Sequence, residues 1–181
     1  MIPYRLIRSS RKTIAIQITP AGEVLLRCPK GLSVGEAETF LESKQPWIEA
    51  HLKKLAQRPV LPAFSPEELR ELARQAAGDL PQRAARYAAR MGVSYGRITI
   101  RSQRTRWGSC SAKGNLNFNC LLMLCPEEVR DYVVIHELCH RIELNHSPRF
   151  WAEVEKICPD YALHRKWLKE NGGSLIARLP E

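Results

Sequence analysis

Apolar and polar positions along the first thirty residues follow a period of two. Ile14, Ile16 and Ile18 are separated by Ala15 and Gln17, which puts one apolar face on a strand. The stretch 4–30 therefore reads as β structure, with Pro20-Ala21-Gly22 as a turn and Val24-Leu25-Leu26 as the returning strand. Helical signals follow. Ser33 with Glu36, and Ser65 with Glu68, each form a capping box, and Pro66 takes the first helical position of the second. Between them Pro46 opens a helix through Leu55, and Arg58-Pro59-Val60-Leu61-Pro62 reads as a stiff linker. The helix after Ser65 is expected to reach about residue 91, with a break or kink at Gly78 to Pro81.

Arg97 to Arg101 reads as a strand, Gln103 to Ser111 as a loop, and Gly114 to Asn119 as a second strand with Leu116 and Phe118 alternating with asparagines. Pro126 opens a helix that takes in Val133-Val134-Ile135 and is expected to continue past His140. Ser147 and Pro148 suit the N-cap and first position of the next helix, which stops before Pro159. A last helix is expected to end near Asn171, at Gly172-Gly173. Strands and helices do not alternate regularly, so the expected fold class is α+β.

Composition narrows the function classes. The 181 residues are 44% apolar and 26% charged, enough to bury a core without disulfide staples. No apolar run approaches the roughly 18 residues that span a membrane, so no membrane partner is expected. Met1-Ile2-Pro3-Tyr4-Arg5 lacks the apolar core of a signal peptide. The six cysteines form no CxxC pair and read as reduced thiols in a cytoplasmic protein. A net charge of +9 permits weak binding of nucleic acids or nucleotides.

The chemistry concentrates in His136-Glu137-Leu138-Cys139-His140-Arg141-Ile142-Glu143-Leu144-Asn145-His146. Residues four apart share a helix face, so His136 and His140 can hold one cation, and Glu137 beside the first can serve as a base. His146 follows far enough on for the chain to leave the helix and turn back, and Asn145 tolerates the left-handed conformation such a turn can require. Three protein ligands leave a position open, which is the catalytic arrangement, and imidazole ligands favour Zn2+. Cys139 points off the ligand face and reads as a small buried hydrophobe. A metzincin would carry glycine midway between the second and third ligands and a methionine downstream; here Glu143 stands in the first place, and Met1, Met91 and Met123 all precede the site.

The neighbours extend the pattern. Arg106-Trp107-Gly108-Ser109-Cys110-Ser111, Gly114 with Leu116 and Asn119, Asp131 to Ile135, the HELCH segment, Asn145-His146-Ser147 and Phe150-Trp151 together resemble the YgjP-like metallopeptidase family, related to the SprT-like and WLM zinc peptidases. The resemblance implies a compact zincin-like domain, expected over 61–181, preceded by a small β-rich hairpin and helix region over 1–60. It also implies zinc on His136, His140 and His146, with Glu137 as general acid/base.

The leading expectation is thus a zinc metallopeptidase acting on a peptide or protein. Its Leu116 to Asn119 strand would pair with an extended substrate, and Arg106, Arg149 or Tyr161 would stabilise the oxyanion. Arg101, Arg104 and Arg106 either brace the fold or hold an anion. If they hold phosphates, Arg104 and Arg106 share a strand face, and the chain is a metal-dependent nucleoside triphosphate pyrophosphatase. A nucleic-acid-associated SprT-like protein is a third reading. Phe150, Trp151 and Val154, and Leu163, Trp167 and Leu168, have the helical spacing of core positions.

Overall fold

A computed structural model describes residues 2–19, 21–57 and 61–180. Pro20 of the expected turn and Arg58-Pro59-Val60 of the expected linker lie outside the described residues. The chain forms two units, Met1–Leu61 and Pro62–Glu181.

In the first unit, strands β1 (Tyr4–Ser9), β2 (Ala15–Ile18) and β3 (Val24–Pro29) form a sheet of order β1-β3-β2. β1 runs parallel and β2 antiparallel to β3, with Leu6 and Ile16 both paired to Leu26. That register puts Tyr4, Leu6, Ile16, Ile18, Val24 and Leu26 on one face. They pack with Ala37 and Leu41 of α1 (Val34–Ser43) and Ile48 of α2 (Gln45–Ala56). The Ser33–Glu36 capping box forms as expected. The Arg8 guanidinium donates to the carbonyls of Lys30 and Leu32.

The second unit begins with the Ser65–Glu68 capping box and α3 (Pro66–Met91). The expected break does not occur, and the helix is continuous through Gly78 and Pro81. An interior proline costs about 3 kcal/mol. Leu72, Ala76, Leu80, Ala84 and Ala88 recur every four residues and are buried, and the two leucines alone contribute about 1.5–3 kcal/mol each. Packing therefore outweighs the proline.

Strands β4 (Ile98–Arg101), β5 (Gly108–Cys110) and β6 (Leu116–Asn119) form a second sheet of order β4-β6-β5. β5 lies inside the expected loop 103–111. It pairs antiparallel with β6, Ser109 opposite Asn117. A 3-10 turn (Cys120–Leu124) leads to α4 (Glu127–Cys139), α5 (Pro148–Ile157) and α6 (Tyr161–Ala177). α6 passes through Gly172-Gly173 instead of ending there. Each glycine costs about 1 kcal/mol, but the last turns are fastened at their far end. Leu179 is buried, the Phe64 amide donates to the Arg178 carbonyl at 2.8 Å, and the Arg178 guanidinium lies 3.8 Å over the Phe64 ring. The architecture is α+β, with six helices and two mixed sheets among the described residues. No helix there is long and apolar enough to cross a membrane.

The second unit's core is gathered around α4, whose Val129, Tyr132, Val133, Val134, Ile135 and Leu138 are all buried. An ion cluster fixes the N-terminal half of this helix. Arg83 of α3, itself buried, donates to Asp79 at 2.7 Å, to Asp131 at 2.6 Å and to Glu127 at 2.8 Å. Replacing it with methionine removes the one cation shared by all three carboxylates, leaving Asp131 to Arg86 at 3.1 Å and Asp79 to Arg130 at 3.5 Å. Because Asp79 and Glu127 keep 29% and 64% of their side-chain exposure, Arg83→Met should cost about 2–3 kcal/mol rather than the full penalty of a dry pair. Urea unfolding at pH 7 measures this, and an unchanged midpoint would show that the cluster only decorates the surface.

Candidate metal centre

The centre is built at the C-terminal end of α4. The helix stops at Cys139, and His140 is its capping residue, with φ −66° and ψ −9°; it does not continue past His140 as expected. The chain turns tightly there, with the Ile142 and Glu143 amides both donating to the Cys139 carbonyl at 2.9 Å. Arg141 anchors the turn, its Nε donating to the Ser94 carbonyl at 2.9 Å. The return leg closes through the Ser147 amide on the Asn145 carbonyl at 2.8 Å, and Ser147 then caps α5 by accepting from the Phe150 amide. Asn145 does not adopt the left-handed backbone expected of it: among the described residues only glycines have positive φ.

These elements bring three imidazoles together. Nitrogens of His136, His140 and His146 lie within 4.8 Å of one another, and the Nε2 atoms of His136 and His146 are 2.9 Å apart. Phe150, fully buried on α5, backs the group, its ring centroid 4.6–4.9 Å from all three. Sequence reading took Phe150 for general core; its place behind the histidines follows from helical spacing only once α5 is docked.

Burial, reinforced by the neighbouring His140 and His146, pushes the His136 pKa down to about 3, and burial also lowers that of His140. Both rings are therefore neutral near pH 7, with lone pairs available. The Nδ1 of His140 faces the Glu143 carbonyl at 3.2 Å, which leaves Nε2 free for a cation. The Nδ1 of His136 is buried and unpartnered. Three imidazole nitrogens held this close form a set that fits a first-row divalent metal. Cys139 stays outside the group. It is buried, and burial pushes its thiol up to about 12.

Glu137 is 5% exposed. Burial raises its pKa to about 8, and the positive charge of Arg106 acts in the opposite direction. Its carboxyl lies directly against Gly108: a Cβ there would come within 2.6 Å of Oε1 and 2.7 Å of Cγ. Gly108 is thus glycine because the carboxyl occupies the space of a side chain. Spacing along the sequence could not reveal this, because the two residues meet only through the packing of β5 on α4. Glu137 and the three histidines open onto a cavity of about 500 Å³, walled on the β5 side by Arg106 to Cys110.

The remaining expected site residues divide. Arg106 lines the cavity. Arg104 does not, since its Nη2 donates to the Leu179 carbonyl at 2.9 Å and to that of Pro180. The two arginines therefore do not share a face, because the 103–107 segment is not a continuing strand. Asn119 is fully buried and cannot meet a substrate. Its amide donates to the carbonyls of Gln103 (2.7 Å) and Arg106 (3.0 Å) and accepts from the Leu121 amide at 3.1 Å; it holds the loop that carries Arg106. β6 is the central strand with both edges paired, so it cannot receive an extended substrate, whereas β5 lies at the sheet edge. Arg149 and Tyr161 are not cavity residues; Tyr161 stacks on Trp151 at 5.3 Å. Leu163, expected in the core, is 64% exposed.

A buried acid beside three converging imidazoles, on an α+β scaffold, is the arrangement of a metal-dependent hydrolase. The profile of the family described as YgjP-like, metallopeptidase domain, matches residues 12–72 and 62–171, and the chain belongs to that family. Membership makes it a peptidase-type hydrolase, with a catalytic metal and a peptide or protein substrate. No curated protein matches. Two solved metallopeptidase zymogens are similar to part of it. Abylysin of Pyrococcus abyssi is 23% identical, with a TM-score of 0.47, over 51% of this chain and 95% of that one. Jannalysin of Methanocaldococcus jannaschii is 22% identical, with a TM-score of 0.44, over 51% and 96%.

The raised Glu137 pKa has a consequence for the metal-free protein. The unfolded chain ionises this carboxyl near pH 4.5, while the folded chain keeps it protonated up to about 8. Folding is thus unpenalised below pH 4.5 and progressively penalised as pH rises through that window. Between pH 5 and 8 the metal-free protein should lose on the order of 3 kcal/mol relative to Glu137→Gln. Urea unfolding of both, with chelator, tests this; parallel pH profiles would show that the carboxyl is already ionised in its pocket.

Proposed function

We propose that the protein is a zinc-dependent metallopeptidase in which His136, His140 and His146 hold the metal and Glu137 is the general acid/base. The observation that carries this reading is the juxtaposition of three converging imidazoles, two of them held neutral by burial, with a buried carboxyl on the same cavity. Zinc, when bound, supplies Lewis acidity that polarises a substrate carbonyl and acidifies a water molecule. Glu137 takes a proton from that water at a carboxylate oxygen and returns it to the amine nitrogen that leaves. Its low-dielectric surroundings bring its pKa near working pH, so it can act in both directions.

β5 supplies the means of holding an extended peptide. Hydrogen bonds from the Asn119 amide to the Trp107 carbonyl and from the Ser111 amide to the Asn115 carbonyl, both 2.9 Å, turn residues 107, 109 and 111 toward β6. By alternation the backbone groups of Gly108 and Cys110 face the open edge, beside Glu137. A substrate strand added there would bring its amide to the cavity. Arg106, the lining arginine, is the candidate to stabilise the oxyanion. The pyrophosphatase reading needs Arg104 and Arg106 to converge on phosphates, and Arg104 is committed to the C-terminal carbonyls. The +9 charge supports at most weak nucleic-acid contact. Six unpaired thiols suit the reducing cytoplasm.

Two variants test the assignment. Metal analysis should find about one zinc per chain, lost in His140→Ala; full retention would remove the triad from the site. Glu137→Gln should keep the zinc and the fold while peptide turnover falls by a factor of order 10² or more. Undiminished turnover would assign the base elsewhere.

A further inference from the structure

One wall of the cavity is apolar. Trp107, Tyr132, Val133, Leu144 and Leu168 line it. Tyr132 and Val133 are buried on α4, and Leu144, from the turn between His140 and His146, is 61% exposed. Buried apolar side chains and an exposed leucine lining one cavity offer a surface that an apolar group of a ligand would cover. The one carboxylate among the lining residues is Glu137, already committed beside the histidines, so a basic side chain entering the cavity finds no free partner. An acidic one would meet Glu137 itself, and Arg106, the one arginine in the lining, is the oxyanion candidate.

The depth of this wall depends on a residue outside it. Gly172 follows Leu168 by one turn of α6, and the two share a face. A Cβ on Gly172 would stand 2.8 Å from Trp107 Cζ2 and 3.2 Å from Cε2 and Nε1. The indole therefore rests on bare backbone, and any side chain at 172 must displace this ring, which is itself part of the cavity lining.

We propose that this wall is a subsite for one large apolar side chain of the substrate, of phenylalanine or leucine size, and that Gly172 sets its depth through Trp107. The proposal rests on the peptidase reading above. Gly172 acts here as a positioning residue, because it reaches the substrate only through the indole.

The experiment has a cleavage arm and a binding arm, both on the full-length, zinc-loaded protein. Peptides that vary at single positions are cleaved and the cut sites mapped by mass spectrometry. Separately, binding of N-acetyl-phenylalaninamide and N-acetyl-alaninamide is followed by NMR. The wild type should favour Phe, Leu or Met over Ala, Asp and Lys at one position beside the cut, by on the order of ten-fold or more in kcat/KM. Gly172→Ala should lower the Phe-to-Ala ratio about ten-fold, while Leu168→Ala should raise the relative turnover of bulkier aromatic side chains. The phenylalanine amide should bind the wild type in preference to the alanine amide, and Gly172→Ala should abolish the preference. Cleavage without side-chain preference, or Gly172→Ala scaling all peptides equally, would overturn the subsite and leave the peptidase reading intact. No cleavage but selective, Gly172-dependent amide binding would overturn the peptidase reading and keep the subsite. Neither cleavage nor selective binding would overturn both.

Discussion

Glu137 holds an ionisable carboxyl where almost no water reaches it, and the surrounding residues follow from that constraint. An enclosed acid without an ion-pair partner is stable only as the neutral form. Its neighbours must then be uncharged or kept at a distance. His136 of α4 and His140 at its end are held neutral by the same desolvation. Gly108 contributes backbone alone. Arg106 is exposed, and its charge opposes the rise in the carboxyl's pKa less than burial promotes it. A cation bound among the histidines would favour the ionised form of this carboxyl, opposing the effect of burial.

Three anchors outside the cavity keep the arrangement in place. The Arg83 cluster secures the start of α4, Arg141 secures the turn that follows it, and the Asn119 amide secures the loop carrying Arg106 and Trp107. Each uses directional hydrogen bonds to fix a segment whose own backbone conformation is irregular or terminal. None contributes an atom to the cavity lining. Positional accuracy at the histidines is thus generated at a distance, and each anchor can fail without removing a single cavity residue.

The parts legible in the sequence were those fixed by local spacing. The i, i+4 pair His136 and His140, the capping boxes at Ser33 and Ser65, and the Ser147 cap all depend on neighbours within one helical turn. So did the α+β class, which follows from the order of elements. Three of the misreadings share one cause, the override of local signals by packing remote in sequence. Pro81 and Gly172-Gly173 are helix breakers by propensity, yet α3 is held by its buried leucines and α6 by the Phe64–Arg178 contacts. β5 is three residues long and exists because β6 offers an edge. Arg104 and Asn119 sit next to the site in sequence but turn away, to carbonyls up to 76 residues distant in the one case and to the loop backbone in the other. Their polar atoms are consumed in architecture, and nothing in residue type distinguishes that use from catalysis.

The seat of Trp107 on Gly172 also sets two selective pressures against each other. In the interior of a seventeen-residue helix, alanine is preferred to glycine by about 1 kcal/mol, so thermodynamic drift at position 172 runs toward a methyl group. That same methyl would displace the indole. Glycine at 172 is therefore a standing sacrifice of helix stability to the shape of a neighbouring ring. Stabilising the fold by consensus-style substitution at this position would be expected to alter what the cavity accepts.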